Sequence, residues 1–285
     1  MEYMRSKLFL PATRLDLAGK ALASGADAVC IDLEDAVTKA GKDDAQRAAS
    51  LYLQSVRRSV SPPLIVRINA VGGDHWRQNL EAVALPSVVQ INLPKVEQPD
   101  AILMAAAALD VLEHQRGILS PIGLLINIET PAALARAAQL ASAHPRVAGL
   151  QVGFGDLFLA CGIDRNNAAA RDHVRMTVSV AAAQAGIPCY DGAFADVRDT
   201  AGLEREARNA RAFGFTGKSC IHPRQVATVN AAFTPGGDEM AWARKIVEAA
   251  GHVDDPGQGA FLVDGQMVDE PLLRLAQRLL ARAPV

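Results

Sequence analysis

Eight apolar, strand-like runs recur along the chain with helical stretches between them, and this alternation limits the fold more than any other feature. The runs fall at 6–10, 28–33, 64–68, 88–93, 122–128, 147–152, 187–190 and 215–221, the last interrupted by Gly217 and preceded by Gly214. Helical spacing occupies 14–24, 43–58, 75–84, 99–115, 132–143, 167–185 and 200–213. A crossover helix carries the chain back along the sheet, so successive strands run parallel. Eight such units favour a closed (β/α)8 TIM barrel, an α/β fold, with an open doubly wound sheet as the alternative. The 285 residues exceed the roughly 250 of a common barrel, which leaves room for an appendage. Beyond Pro223 come a helix over 239–250, a Gly/Pro turn region over 254–259 and a hairpin over 260–267 turning at Asp264-Gly265. A last helix opens near Pro271. We therefore expect a catalytic barrel over 1–223 and a C-terminal helical and hairpin extension over 224–285.

Polar residues stand where the runs end: Arg14 after Pro11, then Glu34 and Asp35, Asn69, Lys95, Glu129, Asp156, Asp191 and His222. Strand ends of a barrel share one mouth, where catalysis belongs. The centre is the stretch 122–156, in which two apolar runs separated by one helical stretch end in Glu129 and Asp156. Two hard carboxylates on neighbouring strands, beside the turn Gly153-Phe154-Gly155, suit a Mg2+ held open for a substrate. Helix capping is the alternative for both acids, because carboxylates are favoured before helices. Arg67 lies within a run of Ile and Val, two residues before Asn69 and on the same face. Buried unpaired it would be costly. At a barrel mouth it would bind a carboxylate or oxyanion bidentately. An ion pair with Asp32, Glu34 or Asp35 is the open alternative.

Other classes find no support. A net charge of −2 without a basic stripe argues against nucleic-acid binding. No run of about 18 apolar residues predicts a membrane span, and the first residues lack the apolar core of a signal peptide. The cysteines, Cys30, Cys161, Cys189 and Cys220, form no C-x-x-C pair, so we expect reduced thiols in a cytoplasmic protein. Phe158 stands where a dinucleotide fingerprint would place its third glycine. No G-x-S-x-G occurs, and Cys220 with His222 shows no orienting third residue.

Ordered fragments carry a resemblance that runs nearly end to end. They are Arg5-Ser6 with Leu8-Phe9-Leu10-Pro11 and Arg14, GADAVCIDLEDAV at 25–37, VRIN at 66–69, LPKVE at 93–97, IETP at 128–131, GFGDL at 153–157, GFTGKSCIHP at 214–223 and DGQMVDEP at 264–271. The chain resembles the citrate lyase beta-subunit-like family of the HpcH/HpaI aldolase superfamily. The resemblance implies a (β/α)8 barrel assembled as a homotrimer or a dimer of trimers. It implies Mg2+ bound by Glu129 and Asp156, with Arg67, Glu129 and Arg14 as substrate-binding candidates. Arg67 would hold the keto-acid part. The Arg14 region would meet the coenzyme A or acyl-carrier arm, although Pro11-Ala12 stands where relatives carry Pro-Gly. Asp269, supplied from a neighbouring subunit's tail, would handle the proton on the acetyl carbon. Glu34 and Asp35 are candidates to orient these groups from behind.

The implied reaction is Mg2+-dependent cleavage of a 3-hydroxyacyl-CoA thioester, citramalyl-CoA or malyl-CoA, to acetyl-CoA and pyruvate or glyoxylate. One alternative is the beta subunit of citrate lyase, taking a citryl-acyl-carrier thioester to oxaloacetate. An alternative of another class is a catalytically silent assembly barrel, against which the presence of Arg67, Glu129, Asp156 and Asp269 speaks.

Overall fold

A computed structural model describes residues 4–56, 61–251 and 260–281. Eight strands form one closed parallel barrel in sequence order. They are β1 (Ser6–Pro11), β2 (Ala28–Asp32), β3 (Leu64–Arg67), β4 (Val88–Leu93), β5 (Gly123–Ile128), β6 (Val147–Val152), β7 (Cys189–Asp191) and β8 (Gly217–Cys220). β8 returns to β1 in parallel, pairing Lys218 with Ser6, so no edge is left. The expected TIM barrel is therefore the fold observed, and the open sheet is excluded.

Alternation along the strands builds the interior in layers. Ala28, Cys30, Ile65, Leu125 and Tyr190, with Met4 and Phe9, fill an apolar floor. Two residues further along three of these strands come Asp32, Arg67 and Asn127, on the same face by the two-residue period. These polar residues line the cavity above the floor. Gly217, which reads as a strand breaker, is required by close approach. A Cβ there would stand 2.2 Å from the carbonyl oxygen of Met4 and 2.5 Å from that of Arg5.

Several helices depart from the periodicity. The stretch read as one helix over 14–24 is a 3-10 turn (Ala12–Leu17) followed by a short helix (Ala18–Leu22), with Arg14 non-helical at φ −127°. The stretch read over 132–143 is two helices, Pro131–Ala135 and Ala137–Ala141, broken at Arg136. The turn expected at Gly153-Phe154-Gly155 opens an eight-residue helix, Phe154–Cys161. Burial of Phe154, Leu157 and Phe158 overrides the glycines there. A helix over Val226–Phe233 had no sequence signal. The turn region over 254–259 lies outside the described residues.

By internal contacts the chain divides into Met1–Asn230, which holds the barrel, and Ala231–Val285. In the second unit the helix Gly237–Ala250, the antiparallel hairpin β9 (Ala260–Val263) and β10 (Gln266–Asp269), and the helix Glu270–Ala281 share a core of Ala243, Ile246, Val263, Val268 and Ala276. Asp264 (φ 51°) and Gly265 (φ 80°) form the hairpin turn, both left-handed as a type I′ turn requires. Among the described residues no helix is long and apolar enough to cross a membrane.

Candidate active site

The barrel mouth encloses a cavity of about 560 Å³. Glu129 follows β5 and Asp156 sits in the first turn of the helix after β6, and both line it together with Arg67. β5 and β6 are neighbours, with Asn127 opposite Gln151 in the register.

Glu129 is 4% exposed. Its Oε1 accepts from the Lys95 N–H at 2.7 Å and its Oε2 from Asn127 Nδ2 at 3.0 Å. Burial pushes its carboxyl up to about 7, against the lowering effect of the Lys95 N–H. A carboxylate so expensive to charge alone is one that a cation would complement. Asp156 is half exposed, with the Lys95 Nζ 4.0 Å away. Both acids, with the amides Asn127 and Gln151, offer hard oxygen donors, and no His or Cys is among the described residues lining the cavity. Among the described residues no cluster of three or more His, Cys, Asp or Glu ligands forms. One or two carboxylates completed by water and substrate are what Mg2+ ordinarily takes, so the donor set fits that ion.

Arg67 is fastened from behind. Its Nε and Nη2 donate to the two oxygens of Asp32 at 2.8 and 2.6 Å, and its Nη1 lies 3.0 Å from Glu34 and 3.3 Å from Asp35. The guanidinium carbon stands 5.1 Å over the Phe9 ring. The ion pairs left open by the sequence are therefore all present. A guanidinium has five N–H donors, so one so anchored can still turn donors to the cavity it lines. Glu34 is buried, and burial raises its carboxyl while Arg67 and the Lys95 hydrogen bond oppose that.

Lys95 was visible only as a polar strand end, yet it is central. Its φ of 52° is left-handed, a conformation that costs a side-chain-bearing residue about 1–2 kcal/mol. Its N–H fixes Glu129, and its Nζ reaches Glu34 at 2.6 Å and Asp35 at 3.5 Å.

Other strand-end residues do not join the site. Asp191 is fully buried, because Tyr190 takes the inward position and the next residue faces out. It is held by Lys218 at 2.6 Å and Arg175 at 3.1 Å. Arg175 also stands 5.4 Å over the Phe154 ring, which ties this ion cluster to the helix bearing Asp156. β3 ends at Arg67, so Asn69 no longer shares its face; Asn69 bonds Asn79 and the Leu33 carbonyl instead. The His222 side chain accepts from the Arg224 N–H. Arg14 is exposed, pairs with Asp16 at 3.1 Å and does not line the cavity. Asp269 ends β10 in the second unit, where its carboxylate accepts from the Leu272 N–H at 3.2 Å.

Gly153 has a specific steric duty. A Cβ there would stand 2.5 Å from the Glu129 Cβ and 2.6 Å from its Oε2. Gly153→Ala is expected to cost about 1–3 kcal/mol by overpacking and to swing Glu129 from its place. Urea unfolding and a divalent-cation titration check this, and an unchanged result in both would show that Glu129 has room to spare.

Comparisons with known proteins show the family and the fold. The HpcH/HpaI aldolase/citrate lyase family matches residues 5–223. A citrate lyase subunit beta-like protein of Mycobacterium tuberculosis is 37% identical, over 97% of this chain and 94% of that protein. A (3S)-malyl-CoA thioesterase of Cereibacter sphaeroides is 32% identical, over 98% of this chain and 94% of that protein. The crystal structure of CitE from Mycobacterium tuberculosis, in complex with magnesium, acetoacetate and coenzyme A, superposes with a TM-score of 0.81. It is 33% identical and covers 99% of this chain and 98% of its own.

Proposed function

The chain belongs to the HpcH/HpaI aldolase/citrate lyase family, and on that premise we propose that it is a lyase that cleaves a 3-hydroxyacyl-CoA thioester of the citramalyl-CoA or malyl-CoA type. The products would be acetyl-CoA and pyruvate or glyoxylate. The observation that carries this reading is the convergence of Glu129, Asp156 and Arg67 on one cavity. Arg67 is the only basic side chain among the described residues lining it, which favours a keto acid with one carboxylate over a citryl group with more. The (3S)-malyl-CoA thioesterase and the coenzyme A-bound CitE support a coenzyme A thioester as substrate.

Glu129 and Asp156 would hold Mg2+. When bound, this ion supplies Lewis acidity at the substrate hydroxyl and carboxylate. Arg67 would neutralise charge on the oxygen that becomes the ketone, in a position Asp32 and Phe9 keep fixed. Phe9 and Phe154 line the cavity and would shield the reacting carbons from water. The hydroxyl would give its proton to water in the mouth as the C–C bond breaks, leaving the keto acid and an enolate of the acetyl thioester, whose carbon needs a proton in return. Asp269 of a neighbouring copy would deliver it from the C-terminal extension, in a trimer or hexamer. Arg14, outside the cavity, would meet the coenzyme A arm.

A panel of 3-hydroxyacyl-CoA thioesters, scored for acetyl-CoA and keto acid together, tests the reaction. Citramalyl-CoA or malyl-CoA should give both products in equal amounts, with loss under EDTA and recovery with Mg2+. Free coenzyme A without a keto acid would mean hydrolysis instead, and no metal-dependent turnover at all would favour a silent barrel. Arg67→Lys is expected to lower kcat/KM by about 10²-fold, because an ammonium cannot hold Asp32 and substrate through one planar fork. Steady-state kinetics on the accepted thioester reads that loss, and wild-type values would remove Arg67 from the chemistry.

A further inference from the structure

Lys7 is a buried charge that the proposed chemistry does not use. It lies on β1 two residues before Phe9, so it shares the inward face of Phe9 one step deeper in the barrel. Phe9 lines the cavity and Lys7 does not. Lys7 is 1% exposed, and its Nζ has no hydrogen-bond partner among the described residues. The ammonium instead faces two rings, Phe9 at 5.2 Å and Tyr190 at 5.9 Å. Its register partners, Ala28 on β2 and Ser219 on β8, carry no charge, and Ser219 lines the cavity. The other groups that bear on it are the Cys30 thiol from β2 and the Arg67 guanidinium from β3. Burial pushes the thiol up to about 11, so it stays neutral, and Arg67 is already held by Asp32. Ring faces attract a cation but do not neutralise it. A buried ammonium without a counter-charge gives up its proton more readily, and burial pushes Lys7 down to about 8. The Arg67 guanidinium stands 5.1 Å over the same Phe9 ring, so one aromatic side chain links Lys7 to the cation that lines the cavity.

We propose that Lys7 is a positioning residue of the keto-acid site, a buried amine that takes up a proton when an anionic ligand enters the cavity above it. An anion there supplies the counter-charge that the floor lacks, and the ammonium then draws the anion down toward Phe9 and Arg67. Proton and ligand are linked, each raising the affinity for the other by the same factor. The inference rests on the cavity taking a keto acid. It adds that part of the attraction is a charge created on arrival, so affinity falls as pH rises above about 8.

Pyruvate titration of the Mg2+-saturated protein, followed by calorimetry in two buffers of different ionisation enthalpy, counts the protons taken up. Saturating Mg2+ keeps Glu129 charged throughout, so its own titration does not enter. Wild type should take up about half a proton or more per pyruvate at about pH 8.5, and close to none at about pH 6.5, where Lys7 is already charged. Lys7→Met should show no uptake at either pH and bind pyruvate about tenfold more weakly at the lower one. Methionine fills the space of the lysine stem and removes an amine without an acceptor, so this variant should melt no lower than wild type. Wild-type binding without proton uptake at the higher pH, or uptake that survives in Lys7→Met, overturns the proposal and leaves the keto-acid reading standing. A Mg2+-loaded wild type that binds no pyruvate sinks that reading, and this inference with it.

Discussion

Glu129→Gln is expected to abolish divalent-cation binding at the barrel mouth and to lower turnover by about a thousandfold or more, with the fold intact. Loss of a group that merely supports a ligand costs about 10–100-fold in metal affinity, so loss of the donor itself should exceed that. Several kcal/mol of charge stabilisation would go with the ion, at a factor of ten for each 1.36 kcal/mol. The amide fits the same space. Its oxygen can still accept from the Lys95 N–H, and the Asn127 Oδ1, which has no hydrogen-bond partner among the described residues, can turn to accept from its NH2. Burial pushes the native carboxyl up to about 7, so a neutral amide removes a charge that the metal-free site does not favour. The metal-free variant should therefore melt no lower than wild type. Saturating Mg2+ should raise the wild-type stability, by about 2.7 kcal/mol at a hundred times Kd, and leave the variant unmoved. Thermal scans with and without Mg2+ read both arms, and an equal rise in the two proteins would assign the ion to other ligands.

The largest loss of stability should follow Lys218→Met. Lys218 and Asp191 are both fully buried, and the Lys218 ammonium also touches Glu206 at 2.6 Å. Removing one partner of such a pair strands the other and costs about 3–5 kcal/mol. Burial would raise the Asp191 carboxyl, but Lys218 and Arg175 outweigh it and hold the group below its ordinary range. A carboxyl depressed in the folded state contributes stability above its unfolded value of about 3.9, and that contribution is lost as pH falls through the lower folded value. The gap between wild type and variant should therefore be widest near neutrality and narrow below about pH 4. Urea unfolding at both pH values measures it, and a gap independent of pH would contradict the assignment. The Asp191→Asn, Lys218→Met double variant should lose less than the sum of the single changes. Arg175 and Arg171 stand over the Phe154 ring, so weaker metal binding in the single variant is expected as well.

How far this could be read from the amino acids varies by element. β4 and β6 match their runs residue for residue, because each is cut off directly by a residue that disfavours further strand, Pro94 after β4 and Gly153 after β6. Glu129, Asp156 and Arg67 meet in one cavity as their places at strand ends suggest. The family fragments reinforce the same three positions. Asp191 shows where strand-end reasoning stops: β7 has three residues, too few to reveal which of them faces in. Facing depends on the stagger of all eight strands, which no single run displays. Phe154–Cys161 was hidden by Gly153 before it and Gly155 within it, since the burial that makes it helical comes from distant elements. Lys95 could not be placed because its role depends on a left-handed backbone and on acids from three other segments. A basic residue directly after a strand, kept in a conformation natural to glycine, is the signal to look for.

A single divalent ion seated between Glu129 and Asp156, with a keto acid drawn toward Arg67, is the centre of the proposed chemistry. A crystal soaked in Mg2+ and pyruvate reads this directly. The expected map shows an ion about 2.0–2.1 Å from a carboxylate oxygen of each acid, with the pyruvate carboxylate or ketone oxygen within hydrogen-bond reach of the Arg67 guanidinium. Pyruvate bound with no ion between those acids, or the two carboxylates turned away from each other around a filled site, would contradict it.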